Sequence, residues 1–327
     1  MRVGNAVKKS LLTAGWRFPL LRVLSARQPV ILLYHSVPAK GDGECIKANI
    51  FEQHVRFLKR HFELVTPNDL STHRRRVEKL RVVLTFDDGF RNHAEVVAPI
   101  LRKHNVAAMF FVCSRHATSG KYLWFNYLRA LERHFPGHGF AFRGEFITMT
   151  PGQRRLSMQR LTACLLSLTP HPDAMYQAIE EELPHLEDFL HGDAIADSYA
   201  GMTAEQVGEL AANPWFSIGI HTVDHPFLTK CEPGEALRQI QENKTWIEQV
   251  CNQPCETIAY PSGVYNVEVL AQCHDLGLAH GYALIPEHNV DPKLELPRIG
   301  IYTTSMDIVG FKVQWGNLIR TLRIQVG

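Results

Sequence analysis

Val82-Val83-Leu84-Thr85-Phe86-Asp87-Asp88-Gly89 is an apolar, β-branched run that ends abruptly in two carboxylates and a glycine. An unbroken apolar run of this length predicts a strand covered on both faces, as in a parallel sheet flanked by helices. The same pattern stands upstream, where Val30-Ile31-Leu32-Leu33-Tyr34 runs into His35, and downstream over 107–113. Between these runs, 51–61 carries apolar residues at helical spacing through Phe51, Val55 and Leu58, and 92–103 predicts a helix kinked at Pro99. Alternating β and α elements predict an α/β fold around a parallel sheet.

The alternation breaks over about 120–202. There 124–134, 153–168 and 173–190 are helix-like and 144–149 is strand-like, so the segment predicts an inserted, mainly helical subdomain. Trp124, Phe125 and Tyr127 cluster near its start, expected in its core, with sugar stacking as the alternative. The rhythm resumes with a helix capped near Thr203. A strand over 216–221, a helix over 233–250, a strand over 257–260 and a helix over 266–276 follow. Strands over 282–285 and 298–302 and an amphipathic stretch over 307–324 complete the chain. His35, Asp87, Cys113, His221 and Tyr260 then stand at carboxyl ends of strands, the edge that carries active sites in barrels and open α/β sheets.

Composition narrows the function. The chain has 327 residues, 45% hydrophobic, and Lys+Arg exceed Asp+Glu by only 35 − 33 = 2. A near-balanced charge argues against a general nucleic-acid binder and against an acidic disordered tail. Seven scattered cysteines make no disulfide framework and predict buried thiols in a reducing compartment, hence a cytoplasmic protein. Residues 1–29 form a basic arm with Arg2, Lys8, Lys9, Arg17, Arg22 and Arg27 and no acid. Its apolar stretch is too short and too charged to span a bilayer or to serve as a signal peptide. With Lys312, Arg320 and Arg323 of the tail, it predicts either a covering for the barrel bottom or a peripheral contact with an anionic inner-membrane surface.

The chemistry concentrates in four segments. Two adjacent carboxylates at the end of a buried strand are costly unless a cation or a raised pKa relieves them. One of Asp87 and Asp88 then ligates a metal while the other acts as a base, although Asp-Gly is also an ordinary turn pair. His221-Thr222-Val223-Asp224-His225 places two histidines four apart, expected on one face of a helical turn. Joined to Asp88, they make the His, His, carboxylate set of an open catalytic metal site. Tyr260-Pro261-Ser262-Gly263 predicts a turn whose backbone N–H groups, around Pro261 and Ser262, form an oxyanion hole. His35 is an ionisable group at a strand end.

In this order, the segments resemble those of the polysaccharide deacetylases, the NodB-homology family of carbohydrate esterases. Thr85–Gly89 looks like that family's first motif, and 221–225 matches its histidine motif. The resemblance spans about 30–118 and 203–302 and implies a distorted (β/α) barrel of fewer than eight strands, with 30–327 as its catalytic domain. It implies a hydrolase that removes N-acetyl groups from an N-acetylated polysaccharide or oligosaccharide with a divalent metal, zinc being expected. Asp88, His221 and His225 would ligate and Asp87 would be the base. The Tyr34-His35 start and the Ala259-Tyr260-Pro261 form of the third motif look most like the branch acting on exopolysaccharides such as poly-N-acetylglucosamine; that branch implies His35 as the acid. Two departures stand out: Ala259 replaces the arginine that orients the base in many members, and Ser262 replaces a tyrosine. Leu278-Ala279-His280 is the literal match to the late motif that supplies the acid elsewhere, but it falls too early. The alternatives are a catalytically silent glycan-binding or scaffold module, and a small-amide hydrolase on the same fold.

Overall fold

The computed structural model describes residues 29–40, 46–71, 79–119, 122–190, 197–288 and 290–321. The basic arm, apart from its last residue, lies outside them, as do Arg323 and Cys45.

Seven parallel strands close into a barrel: β1 (Val30–Tyr34), β3 (Arg81–Phe86), β4 (Ala108–Val112), β7 (Phe216–Ile220), β8 (Thr257–Ala259), β9 (His280–Ala283) and β10 (Leu296–Gly300). β1 seals the ring by pairing with β10 on one side and β3 on the other. A short strand, β2 (Glu63–Leu64), pairs with the start of β3, whose end pairs with β4. Strand periodicity divides the side chains between two cores. Val30, Leu32 and Tyr34, with Val82, Leu84 and Phe86, face outward into the main core shared with the surrounding helices. Ile31, Val83, Met109, Phe111, Ala259 and Tyr282 form a smaller cluster of their own in the barrel interior. Phe111 reaches across that interior because Gly219 faces it: a Cβ there would lie 2.5 Å from the Phe111 ring.

The outer layer is built from α1 (Ala48–His61), α2 (Ala98–Lys103), α3 (Ser114–Ser119), α7 (Ala204–Ala211), α8 (Pro233–Cys251), α9 (Val267–Asp275) and α10 (Met306–Thr321). Thr203 and Gln206 form a reciprocal capping box at the start of α7. The helix expected over 92–103 is continuous, with right-handed helical backbone through Val97 and Ala98; its irregularity at Pro99 takes the form of a π-helical turn at His93–Val97, which leads directly into α2.

Between α3 and α7 lie α4 (Trp124–His134), a hairpin of β5 (Gly139–Phe142) and β6 (Glu145–Thr148), α5 (Arg154–Leu166) and α6 (Pro172–Glu182). They gather a separate apolar cluster that includes Trp124, Leu131, Ile147, Leu161, Tyr176 and Tyr199. The helix expected over 173–190 stops at Glu182, because Pro184 cannot continue it; a 3₁₀ turn at Leu186–Asp188 follows. The strand β5 went unpredicted. Its two-residue connection, Arg143-Gly144, has both residues at positive φ, the type I′ hairpin geometry, but Arg143 lacks the usual Asn or Asp signal. The strands expected over 282–285 and 298–302 each begin two residues earlier. Backbone pairing, here Thr257↔His280 and Leu296↔Tyr282, sets a strand's limits, and polar His280 and Pro297 hide them from an apolar pattern. Among the described residues, no helix is long and apolar enough to cross a membrane.

Candidate active site

The carboxyl ends of β1, β3, β7, β8, β9 and β10 surround a pocket of about 530 Å3. Its lining includes His35, Asp87, Asp88, His221, His225, Ser262 and Arg298 from the barrel, and Trp124, Phe125 and Arg129 from α4.

Asp87 follows β3 and donates its backbone N–H to the Tyr34 carbonyl at 3.0 Å, extending the β1–β3 ladder by one residue. At Asp88 the chain turns: its φ is 77° and that of Gly89 is 78°. A Cβ on Gly89 would lie 2.8 Å from Val112, so the turn requires glycine on both steric and conformational grounds. Asp88, Thr222, His225 and Ser262 all take left-handed backbone conformations around the pocket. Strain of this kind costs about 1–3 kcal/mol per residue and gathers at functional sites.

The histidine segment is not the helical turn that its spacing predicted. It is a loop, with φ of 70° at Thr222 and 55° at His225. Side chains replace the helical hydrogen bonds. The Thr222 hydroxyl accepts from the His225 N–H at 3.1 Å, and Gln239 on α8 accepts from the Asp224 N–H at 2.9 Å. Asn243 of α8 accepts from the His221 N–H at 2.9 Å and donates to the Val112 carbonyl at 3.1 Å. The buried Asp224 carboxylate accepts from Arg115 and Gln239, and Arg115 also bonds Asp173 of α6, which ties this loop to the segment after β4.

The loop brings both histidines to Asp88. Asp88 Oδ1 lies 3.4 Å from His221 Nε2 and 3.6 Å from His225 Nε2, and one ligand atom from each residue falls within 4.8 Å of the others. His221 Nδ1 is 2.7 Å from the Ala259 carbonyl. A carbonyl only accepts, so Nδ1 carries the proton and Nε2 turns its lone pair to the cluster, the arrangement of a metal-ligating histidine. Both carboxylate oxygens of Asp88 are buried without a hydrogen-bond partner. Two orphaned acceptors beside two imidazole nitrogens are costly unless a cation completes them. The donor set therefore fits a divalent metal. Burial pushes the Asp88 carboxyl up, but His221, His35 and His225 outweigh it and hold it well below the usual carboxylate range. Burial lowers His221, yet Asp87 and Asp88 raise it further, whereas burial wins at His225 and takes it down to about 4.

Asp87 is held apart from this cluster by a residue that no sequence signal marked. Arg298 of β10 makes a bidentate pair with it, Nη1–Oδ1 at 2.6 Å and Nη2–Oδ2 at 2.7 Å, both side chains buried. Burial raises the Asp87 carboxyl, but the Arg298 charge and then His221 pull it below its ordinary value. A planar guanidinium fixes a carboxylate in both position and charge. Arg298 supplies the contact whose absence Ala259 had implied.

The remaining predicted residues divide. His35 is half-buried on the pocket wall; His280 opens β9 at the opposite, amino end of the barrel and does not line the pocket. In the third segment, Ser262 and Gly263 line the pocket, but Pro261 is buried beneath the turn and has no N–H to offer. The Gly263 N–H is taken by the Tyr260 carbonyl at 2.9 Å. Trp124 is buried and donates through Nε1 to the His225 carbonyl at 3.0 Å, and Phe125 packs on the His225 ring with centroids 4.6 Å apart. Tyr127 belongs to the neighbouring core and donates to the Pro184 carbonyl.

Comparison with known proteins agrees with this geometry. A family model described as polysaccharide deacetylase matches residues 74–138 and 174–281. YxkH of Bacillus subtilis (strain 168), named for the same family, is 22% identical over 260 residues, 78% of this chain and 64% of that protein. The match thus spans less than two thirds of that relative. Among solved structures, the fold is similar to that of IcaB from Ammonifex degensii, with a TM-score of 0.56 and 16% identity over 88% of this chain and 97% of that one. It is also similar to the Streptococcus pyogenes deacetylase PplD in complex with acetate, with a TM-score of 0.54 and 20% identity over 86% of this chain and 96% of that one.

Proposed function

Since the chain belongs to the polysaccharide deacetylase family, we propose that it is a metal-dependent hydrolase that removes N-acetyl groups from an N-acetylated glycan. The observation that carries this reading is the meeting of Asp88, His221 and His225 around two orphaned carboxylate oxygens. Zinc suits this donor set, which also tolerates cobalt or nickel. When bound there, the metal supplies a Lewis acid that polarises a carbonyl and makes water more acidic.

The other steps belong to the chain's own residues. Asp87, kept ionised by Arg298, accepts a proton from the attacking water. Charge then grows on the acetamide oxygen, and the Ser262 N–H is the donor assigned to it, because Pro261 has none and that of Gly263 is already used. His35 gives a proton to the amide nitrogen as the C–N bond breaks. The products are acetate and a free amine on the sugar. An intact pair of carboxylates with one held by an arginine favours an enzyme over a silent binding module.

The Tyr34-His35 start and the Ala259-Tyr260-Pro261 form of the third motif, which resemble the exopolysaccharide branch, favour an exopolysaccharide such as poly-N-acetylglucosamine as the substrate class. Residues 30–327 are assigned to one catalytic domain, with 120–202 as an insertion whose Trp124, Phe125 and Arg129 shape the pocket mouth. The basic ends, residues 1–29 and the tail, are assigned a peripheral contact with an anionic membrane, consistent with a cytoplasmic protein. The test is incubation of the zinc-loaded chain with N-acetylglucosamine oligosaccharides, read by mass spectrometry. Loss of acetyl groups with release of acetate supports the reading. Metal binding with hydrolysis of small amides or imides, and none of any acetylated glycan, refutes it.

A further inference from the structure

A histidine that donates a proton from one ring nitrogen needs its other nitrogen held, because the held nitrogen sets both tautomer and ring plane. Among the described residues, no carboxylate pairs with His35. Its Nδ1 instead faces the hydroxyl of Tyr302, 3.4 Å away, and the two rings stack with centroids 5.7 Å apart at 27°. Tyr302 lies two residues beyond β10 and lines the pocket. It is 68% exposed, so the core does not account for its position.

We propose that Tyr302 is the positioning residue for His35: its ring fixes the imidazole plane and its hydroxyl holds Nδ1, leaving Nε2 to face the substrate. The proposal rests on the acid role assigned to His35. A hydroxyl can both donate and accept, whereas a carboxylate only accepts. The Tyr302 oxygen therefore accepts from Nδ1–H of the imidazolium and goes on accepting from it once Nε2 has lost its proton. The imidazolium is the form that acts as acid: Nε2 gives its proton to the leaving amine, and the neutral ring that remains keeps its proton on Nδ1, still bonded to the Tyr302 oxygen. The phenol stays neutral throughout.

The experiment is NMR of the full chain labelled with 15N in histidine, with His35→Gln used to identify the His35 ring signals by difference. In the native protein His35 is expected as the single Nδ1–H tautomer when neutral; in Tyr302→Phe it becomes a mixture of both, with the melting temperature unchanged. With an N-acetylglucosamine pentasaccharide as probe, Tyr302→Phe is expected to lower kcat about 10-fold, the low end for loss of a residue behind a reacting one, with KM unchanged. An unaltered His35 tautomer in Tyr302→Phe overturns the proposal. So does a raised KM at constant kcat, which makes Tyr302 a substrate-stacking residue. If the tautomer shifts while His35→Gln retains full turnover, Tyr302 positions His35 but the acid assignment has failed.

Discussion

Replacing Arg298 with methionine removes the guanidinium that grips Asp87 at 2.6 and 2.7 Å and leaves the carboxyl buried. Taking one partner from a buried ion pair costs about 3–5 kcal/mol. The same opposite charge lowers the carboxyl pKa, so the cost depends on pH. The sign follows from linkage. In the native chain Asp87 lies below its unfolded value, so its contribution is complete above the ordinary carboxylate range and is lost as pH falls through the depressed value. In Arg298→Met, burial prevails and lifts Asp87 above its unfolded value. The variant's deficit near pH 4 is then mainly the loss of the native ion pair, and it grows further as pH rises toward about 8, where the buried carboxyl must ionise alone. Urea denaturation at both pH values reads this directly. The acid limb of kcat/KM should move to higher pH, and activity at neutral pH should fall while part of it returns at higher pH. A deficit that is the same at both pH values, with the acid limb unmoved, refutes the reasoning.

His221→Ala should abolish metal retention after dialysis, measured by elemental analysis, whereas Asp87→Asn should keep its metal and lose nearly all turnover; metal retained in the former removes His221 from the ligand set. His35→Ala should lower kcat by about 10²–10⁴-fold, the range for one acid–base group, and wild-type turnover would return the acid role to another residue. Gly219→Ala should destabilise the fold by about 1–3 kcal/mol, because the added methyl meets Phe111 at 2.5 Å; an unchanged melting temperature contradicts the packing described for the barrel interior. The full chain should co-sediment with anionic vesicles at low salt and be released at high salt, and absence from the pellet under both conditions rules out membrane contact through the basic ends.

Most of the barrel was legible because it is encoded locally. An apolar run ending in Asp87-Asp88-Gly89 specifies a strand, its carboxyl end and a tight turn within eight residues. The spacing of His221 and His225 likewise marked two candidate ligands, although the backbone joining them is a strained loop braced by Thr222 within the motif and by Gln239 and Asn243 from α8. The hairpin strand Gly139–Phe142 escaped because Arg143-Gly144 forms its turn without the usual residues. Arg298 and Tyr302 escaped for a deeper reason. Alternation along a strand says which side chains share a face, but not which other strand they will meet across the barrel. Arg298 reaches Asp87, 211 residues away, only because β1 seals the ring between β3 and β10. Tyr302 reaches His35 because the chain leaving β10 passes the end of β1. The sequence by itself determined the strands, their polar ends and the identity of the metal-type donors. The closure of seven strands decided which charge pairs with Asp87 and which hydroxyl faces His35, because a charge-assisted pair acts over a few ångströms and only the closed ring brings those atoms so near.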